Sequence, residues 1–276
     1  MQLKTCIRNS LISLTIIASS VIFSSSVMAM DFVVPFDFDV PNAAALAVGA
    51  YPDYEGSDDY AFGGLPALNL QFDERYFRLM GPYLEVNIIN SETFRFGPTA
   101  MYRFGRDDDI DDTVVKLVHD VDDAIELGAF AGFHIFDPQD PRIRYGASVN
   151  YLQDVTDEHD GYTIQVSARG WYPVSRAVDI GLSGGWTYAS EDYMSAYFGV
   201  TSADEINSGL LEFDAGSGSK DIYIQPMMMI HFSESWHVGI GVRIKSLLGD
   251  AEDSPVVDVR GDKTQIIGGV GVAYAW

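Results

Sequence analysis

Phe94-Arg95-Phe96-Gly97-Pro98-Thr99-Ala100-Met101-Tyr102-Arg103-Phe104 alternates almost without error between apolar and polar positions. Phe94, Phe96, Pro98, Ala100, Tyr102 and Phe104 share one phase; Arg95, Gly97, Thr99, Met101 and Arg103 share the other. Successive side chains of a strand point to opposite faces, so this is a strand with a greasy aromatic face backed by a cationic one. A soluble sandwich would bury the greasy face in a core. A membrane barrel turns it toward lipid and keeps the arginines in a wet lumen, with aromatics near the two membrane interfaces. The neighbouring segments decide between the two.

Outward from this stretch, the chain is a procession of strand-length alternating segments: 44–51, 65–72, 76–88, 125–135, 143–151, 162–172, 178–188, 222–232, 236–247 and 266–276. Most approach the ten or so residues that a tilted strand needs to cross a bilayer. Segment 76–88 changes phase partway: Phe77 and Leu79 are apolar at odd positions, Leu84, Val86 and Ile88 at even ones. A β-bulge at Met80-Gly81-Pro82 would restore one consistent face. With the opening stretch the count is eleven, and bacterial barrels generally have an even number. Either 32–38 or 194–200 supplies a twelfth, or one weak segment is no strand and there are ten. The expected fold is an all-β, transmembrane, antiparallel up-and-down barrel of about twelve strands. Connections alternate between tight (137–141, 173–177, 233–235) and long (105–123, 190–220, 249–263), the asymmetry of outer-membrane barrels. Packing eleven such apolar faces in water would need more than the seven to nine strands usual in a secreted sandwich.

The ends agree with export. Lys4 and Arg8, an apolar run over 11–23 and small residues ending at Ala29 follow the order of a secretory signal, giving expected divisions of 1–29 signal peptide, 30–42 extended lead-in and 43–276 barrel. Cys6, the only cysteine, falls inside the signal, so the mature chain has no disulfide and no cysteine metal site. Removing Lys4 and Arg8 takes Lys plus Arg from 17 to 15 against 40 Asp plus Glu, a formal charge of −25. Such a chain repels nucleic acid, whose binding rests on neutralising phosphates.

Motifs spread along the chain carry a family resemblance. They are Pro52-Asp53-Tyr54-Glu55-Gly56-Ser57-Asp58, Phe96-Gly97-Pro98 with Tyr102-Arg103-Phe104-Gly105-Arg106, Val121-Asp122-Asp123-Ala124-Ile125-Glu126, Tyr197-Phe198-Gly199-Val200 with Ser208-Gly209-Leu210, and Leu248-Gly249-Asp250 with Asp253-Ser254-Pro255. On these residues the chain resembles the MltA-interacting protein and OmpV family of Gram-negative outer-membrane proteins. The resemblance implies an outer-membrane barrel among lipid and lipopolysaccharide. For some members it implies a scaffold joining a murein-cleaving lytic transglycosylase to a murein synthase; other members are described as pore-like, osmotically responsive or adhesive. A terminal aromatic such as Trp276 is what such proteins present to the barrel assembly machinery, although most carry Phe.

Candidate functional residues fall into three groups. Arg95, Arg103, Arg144, Arg169, Arg243 and Lys245 share the inward phase and would line a lumen, either as an anion-selecting constriction or paired with inward Glu85, Glu126 and Asp179. Asp107, Asp108, Asp109, Asp111 and Asp112, and the cluster Asp53, Glu55, Asp58 and Asp59, offer oxygen ligands for a divalent cation but lack the spacing of an EF-hand, and the plainer reading is solvated loops. The loop 190–220 carries Tyr193, Tyr197, Phe198, Leu210, Leu211 and Phe213, too apolar for an idle connection; it is expected to plug the barrel mouth or to meet a partner, with a helical turn over 203–208. Catalysis is not expected. The five histidines form no His-Glu-x-x-His pair, no Gly-x-Ser-x-Gly elbow is present, and Gly268-Gly269-Val270-Gly271 precedes no helix. No cofactor is implied.

Overall fold

The computed structural model describes residues 42–107 and 110–276. The signal, lead-in and 32–38 expectations, together with Asp108 and Asp109, lie outside the described residues. Twelve strands form a closed antiparallel barrel in which each pairs with its sequence neighbours and the last returns to the first. They are β1 (Asn42–Pro52), β2 (Tyr60–Phe72), β3 (Arg75–Met80), β4 (Tyr83–Asn87), β5 (Phe94–Arg103), β6 (Ala124–Phe136), β7 (Arg144–Asp154), β8 (Tyr162–Pro173), β9 (Val178–Ala189), β10 (Gly218–His231), β11 (Trp236–Leu247) and β12 (Thr264–Ala275). Closure runs from Ala43 opposite Ala275 to Ala50 opposite Gly268. Closure leaves no long strand edge to aggregate.

The opening stretch keeps its two faces. Phe94, Phe96 and Tyr102 are exposed on the outside, Phe94 to 65%, while Arg103 on the inside retains 7%. In a barrel, "exposed" on the outer face means facing lipid, which is why large hydrophobics dominate that surface. Tyr151, Tyr162, Tyr188 and Trp186 form a chain of ring contacts at the long-loop end of β7 to β9, and Trp236, Tyr274 and Trp276 form another at the opposite end. These are the aromatic belts expected at two membrane interfaces.

The twelfth strand comes from neither expected source. Segment 76–88 is no bulged strand; it folds back on itself as β3 and β4, with Met80 opposite Tyr83 and only Gly81-Pro82 between them. Gly81 has φ +57°, the Gly-first pattern of a two-residue hairpin turn, and its amide reaches the Pro66 carbonyl at 2.9 Å. Of the candidate 194–200, all but the last two residues lie in α1 (Glu191–Phe198). Ser190 caps that helix by accepting from the Tyr193 amide, and Glu191 and Asp192 favour its positive N-terminal end.

Both chain ends of the barrel lie at one end with the β2–β3, β4–β5, β6–β7, β8–β9 and β10–β11 connections; the long loops lie at the other, and of the tight turns only β3–β4 points toward that side. Those long loops pack into a cap. Besides α1 it holds α2 (Ser202–Ser208), α3 (Asp250–Asp253), α4 (Pro255–Asp258) and a 3-10 turn at Val115–Leu117. One apolar cluster joins Val121, Tyr193, Met194, Tyr197, Phe198, Ala251 and Val257. A second joins Tyr54, Ile110, Val115, Val118, Val200, Leu210 and Val256. The cap is therefore a small core of its own, set on the barrel rim, with four loops contributing to it.

Candidate functional site

Beneath the cap the lumen holds a cavity of about 240 Å³. Strands set its lining through their inward positions: Tyr83 and Glu85 from β4, Arg103 from β5, Ser148 and Asn150 from β7, Gln165, Ser167 and Arg169 from β8, Tyr223 and Gln225 from β10, Arg243 from β11. The lining is hydroxyl- and amide-rich, and it is cross-linked. Ser148 and Ser167 hydroxyls lie 3.1 Å apart, Asn150 donates to the Tyr83 hydroxyl at 2.8 Å, and Tyr76 donates to Glu85 at 2.5 Å.

Above the cavity, buried ion pairs staple the cap to the wall. Glu55, carried down by the β1–β2 loop, accepts from Lys220 at 2.5 Å, Lys245 at 2.7 Å and the Tyr193 hydroxyl at 3.1 Å. Lys220 also pairs with Asp221 at 3.1 Å. Arg103 binds Glu126 through two bonds of 2.7 and 2.9 Å, and its guanidinium lies over the Tyr193 ring. His159 contacts the same carboxylate at 3.1 Å and meets Tyr193 and Tyr197 edge-on. Arg106 donates to the Tyr197 carbonyl at 2.9 Å. A buried charge needs such partners, since desolvation costs several kcal/mol per ion (order of magnitude).

Below the cavity, Trp171, Met227 and Met229 pack with Ala43, Ala67, Ala273 and Ala275 into an apolar constriction near the short-turn end. Gly181 makes room for it: a Cβ there would stand 2.7 Å from the Trp171 ring. The lumen is thus shut by the cap on one side and narrowed by this layer on the other.

The inward cations are placed as follows. Arg95 lies at the short-turn end, paired with Glu74 at 3.4 Å; Arg144 lies over Trp171; Arg169 contacts His134 at 2.6 Å. Arg243 donates to Gln225 at 2.9 Å and lies over the Tyr223 ring at 4.4 Å. Glu85 is reached by Arg78 at 3.7 Å, and Asp179 by Arg142 and His231. Tyr197, Phe198 and Leu210 are buried in the cap, whereas Leu211 is 72% exposed. Of the acidic run, Asp112 turns inward, accepting from the Val114 and Val115 amides and from Arg260; Asp111 gives its amide to the buried Asp53. Among the described residues no group of three or more His, Cys, Asp or Glu is disposed to hold a metal ion.

Lys220 and Arg78 were not among the expected site residues; Tyr193 was expected in the plug loop, and Glu55 was expected as an oxygen ligand or solvated acid, whereas it is a buried ion-pair partner. Lys220 is hidden from alternation by a register shift between Ser219 and Asp221, which turns both Lys220 and Asp221 inward. Glu55 sits in a motif quoted above, where residue type alone does not show which way it points.

Those motifs converge. Tyr54 and Glu55, Arg103 and Arg106, Glu126, Tyr197 and Phe198, Leu210 and Ser254 all meet in the cap or on the wall directly beneath it. The family model of the MltA-interacting protein MipA matches residues 44–276. The chain belongs to the MipA family. As a MipA-family member it is an outer-membrane barrel, and of the motifs quoted above all but Phe96-Gly97-Pro98 contribute to the capped end of the lumen. A search of curated proteins finds no match. Among solved structures, similar barrels include the NanC porin (TM-score 0.47, 11% identity, 84% of this chain and 100% of that one). An outer membrane channel from Pseudomonas putida F1 gives TM-score 0.46 at 10% identity over 90% of this chain and 100% of that one. OmpT of Vibrio cholerae gives 0.40 at 8% identity over 85% and 96%.

Proposed function

We propose that this MipA-family barrel is a closed, non-catalytic membrane scaffold, holding a murein-cleaving lytic transglycosylase, and through it a murein synthase, at the periplasmic face of the outer membrane. The observation that carries the reading is the obstruction of the lumen: a cap with its own apolar core across it above, and a constriction of Trp171 with Met227 and Met229 below. A protein whose task is to conduct has no need of a packed cap across one mouth of its bore and an apolar constriction near the other. The partner class rests on the family, whose description names an interaction with MltA. Lipid and lipopolysaccharide would surround the apolar outer face, and the termini and short turns would offer the periplasmic docking surface.

The test is to refold residues 30–276, record conductance in planar bilayers, and measure binding of the same organism's lytic transglycosylase by surface plasmon resonance. Electrical silence with saturable enzyme binding is expected. Steady anion-preferring openings that fall on Arg169→Gln, without enzyme binding, would replace the scaffold with a gated channel.

A further inference from the structure

The cavity beneath the cap has a chemistry that scaffolding leaves unused. Of the other basic groups on its wall, Arg103 is neutralised by Glu126, Lys220 by Glu55 and Asp221, and Arg169 is engaged by His134 at 2.6 Å. Arg243 differs: its contacts are the neutral Gln225 amide and the Tyr223 ring, and among the described residues no carboxylate lies within ion-pair distance of it. The Gln225 bond uses Nε and the ring supports the guanidinium plane, so the donors of the terminal nitrogens remain for a planar, two-oxygen acceptor. Arg243 is half-buried, so part of its charge is shielded from water without a counter-charge, and a carboxylate is the acceptor a guanidinium fork matches.

The rest of the lining points to what bears that carboxylate. Ser148, Ser167, Asn150 and Gln165 present hydroxyls and amides held by mutual or wall contacts, while Met101 and Phe130 supply an apolar patch. Convergent hydroxyl and amide groups beside an apolar patch suit a ring with hydroxyls on its rim and C–H bonds on its face. The cavity volume, about 240 Å³, lies just under the roughly 300 Å³ where pockets for drug-sized ligands begin. One sugar ring fits; a chain of them does not.

We propose that this cavity binds a monosaccharide-sized sugar acid, with Arg243 as its carboxylate receptor. A ligand entering from the short-turn end would first meet a second cavity of about 270 Å³, lined by Gln71, Glu74, Tyr76, Arg78 and Arg95, and would have to part the layer above it. Tyr76 and Arg78 there bond to Glu85 of the first cavity, so this bonded layer stands between the two. The inference goes beyond the scaffold reading and does not depend on it.

Glucuronate, glucose and acetate are titrated into the refolded barrel in detergent by isothermal calorimetry. Saturable glucuronate binding is expected, at least tenfold tighter than glucose or acetate. Arg243→Gln should weaken it at least tenfold. Gln225→Glu, which sets a carboxylate 2.9 Å from the Arg243 side chain, should do the same while adding an ion pair that keeps the wall intact. The mobility difference between heated and unheated samples on a gel reports folding of each variant. Absent glucuronate binding, binding unchanged in both folded variants, or acetate binding as tightly as glucuronate would each overturn the proposal.

Discussion

Glu55 is the residue on which cap and barrel agree. Two ammonium groups from the wall and one phenol from the cap converge on its carboxylate, all buried. Glu55→Gln keeps the shape and removes the charge, leaving Lys220 and Lys245 without the carboxylate they share. Breaking a buried pair by removing one partner costs roughly 3–5 kcal/mol, so the variant should lose about that much in denaturant unfolding and expose Tyr193 to solvent. Within the cap, Asp112 and Asp204 show a second residue-scale effect. Burial opposes ionisation of each, but hydrogen bonds outweigh it: Arg260 and the Val114 and Val115 amides at Asp112, His119 and Thr201 at Asp204. Both pKa values consequently lie below the ordinary carboxylate value. A lowered folded pKa gives stability that is fully present above the unfolded value of about 4 and is lost as pH falls through the folded one. Cap protection from added protease should therefore be constant from pH 7 to about 4 as far as these two groups decide it, then decline. Asp112→Asn should flatten that decline; a profile unchanged by the substitution would refute the assignment.

At the scale of elements, the β3–β4 hairpin shows what alternation can and cannot resolve. A bulge and a two-residue turn both reverse the parity of the apolar positions, so Leu79 and Leu84 read alike under either. In the structure they are directly opposite each other. Length separates the readings: split at Gly81-Pro82, the pieces have 6 and 5 residues, shorter than the spanning length that favoured one strand. The hairpin depends on Gly81, where a Cβ would meet the Leu65 side chain at 2.6 Å on a left-handed backbone. Gly81→Val should cost at least about 1–2 kcal/mol from the backbone alone, and a variant as stable as the parent would refute the turn. The other strands were legible because lipid on one side and a polar lumen on the other impose the alternation almost everywhere. The cap was legible only as an excess of aromatics. Its helices are short, Glu191–Phe198 being held by Ser190 and by burial of Tyr193, Met194, Tyr197 and Phe198, and long-range packing of this kind leaves no periodic signature. Lumen arginines could be placed on the inner face by phase, but not their partners, which lie on other strands at registers that sequence does not state.

For the molecule as a whole, closure is the property on which everything else depends. β12 meets β1 through a ladder of eight residue pairs from Ala43–Ala275 to Ala50–Gly268, with the Trp276 amide bonding to the Asn42 carbonyl at 3.1 Å. Deleting residues 271–276 removes five of those pairs and opens both edges inside hydrocarbon, where unpaired backbone groups cost several kcal/mol each (order of magnitude). Such a chain should fail to reach the form whose gel mobility changes on heating, and normal refolding would show that closure is held elsewhere. The fold class and the family were readable across the chain, because both are written in features repeated from strand to strand or spread over several motifs.

The cap also orders events in time. It takes residues from loops far apart in the chain, and bonds such as Gly56 to Gln265, 209 residues apart, and Glu55 to Lys245, 190 apart, tie its first loop to the last two strands. Contacts of such separation form late. The cap can settle only after every strand has been inserted and every long loop has crossed the bilayer. A sealed mouth thus certifies a finished molecule, since a barrel lacking its last strands leaves Tyr54, Tyr193 and Phe198 without the packing that buries them.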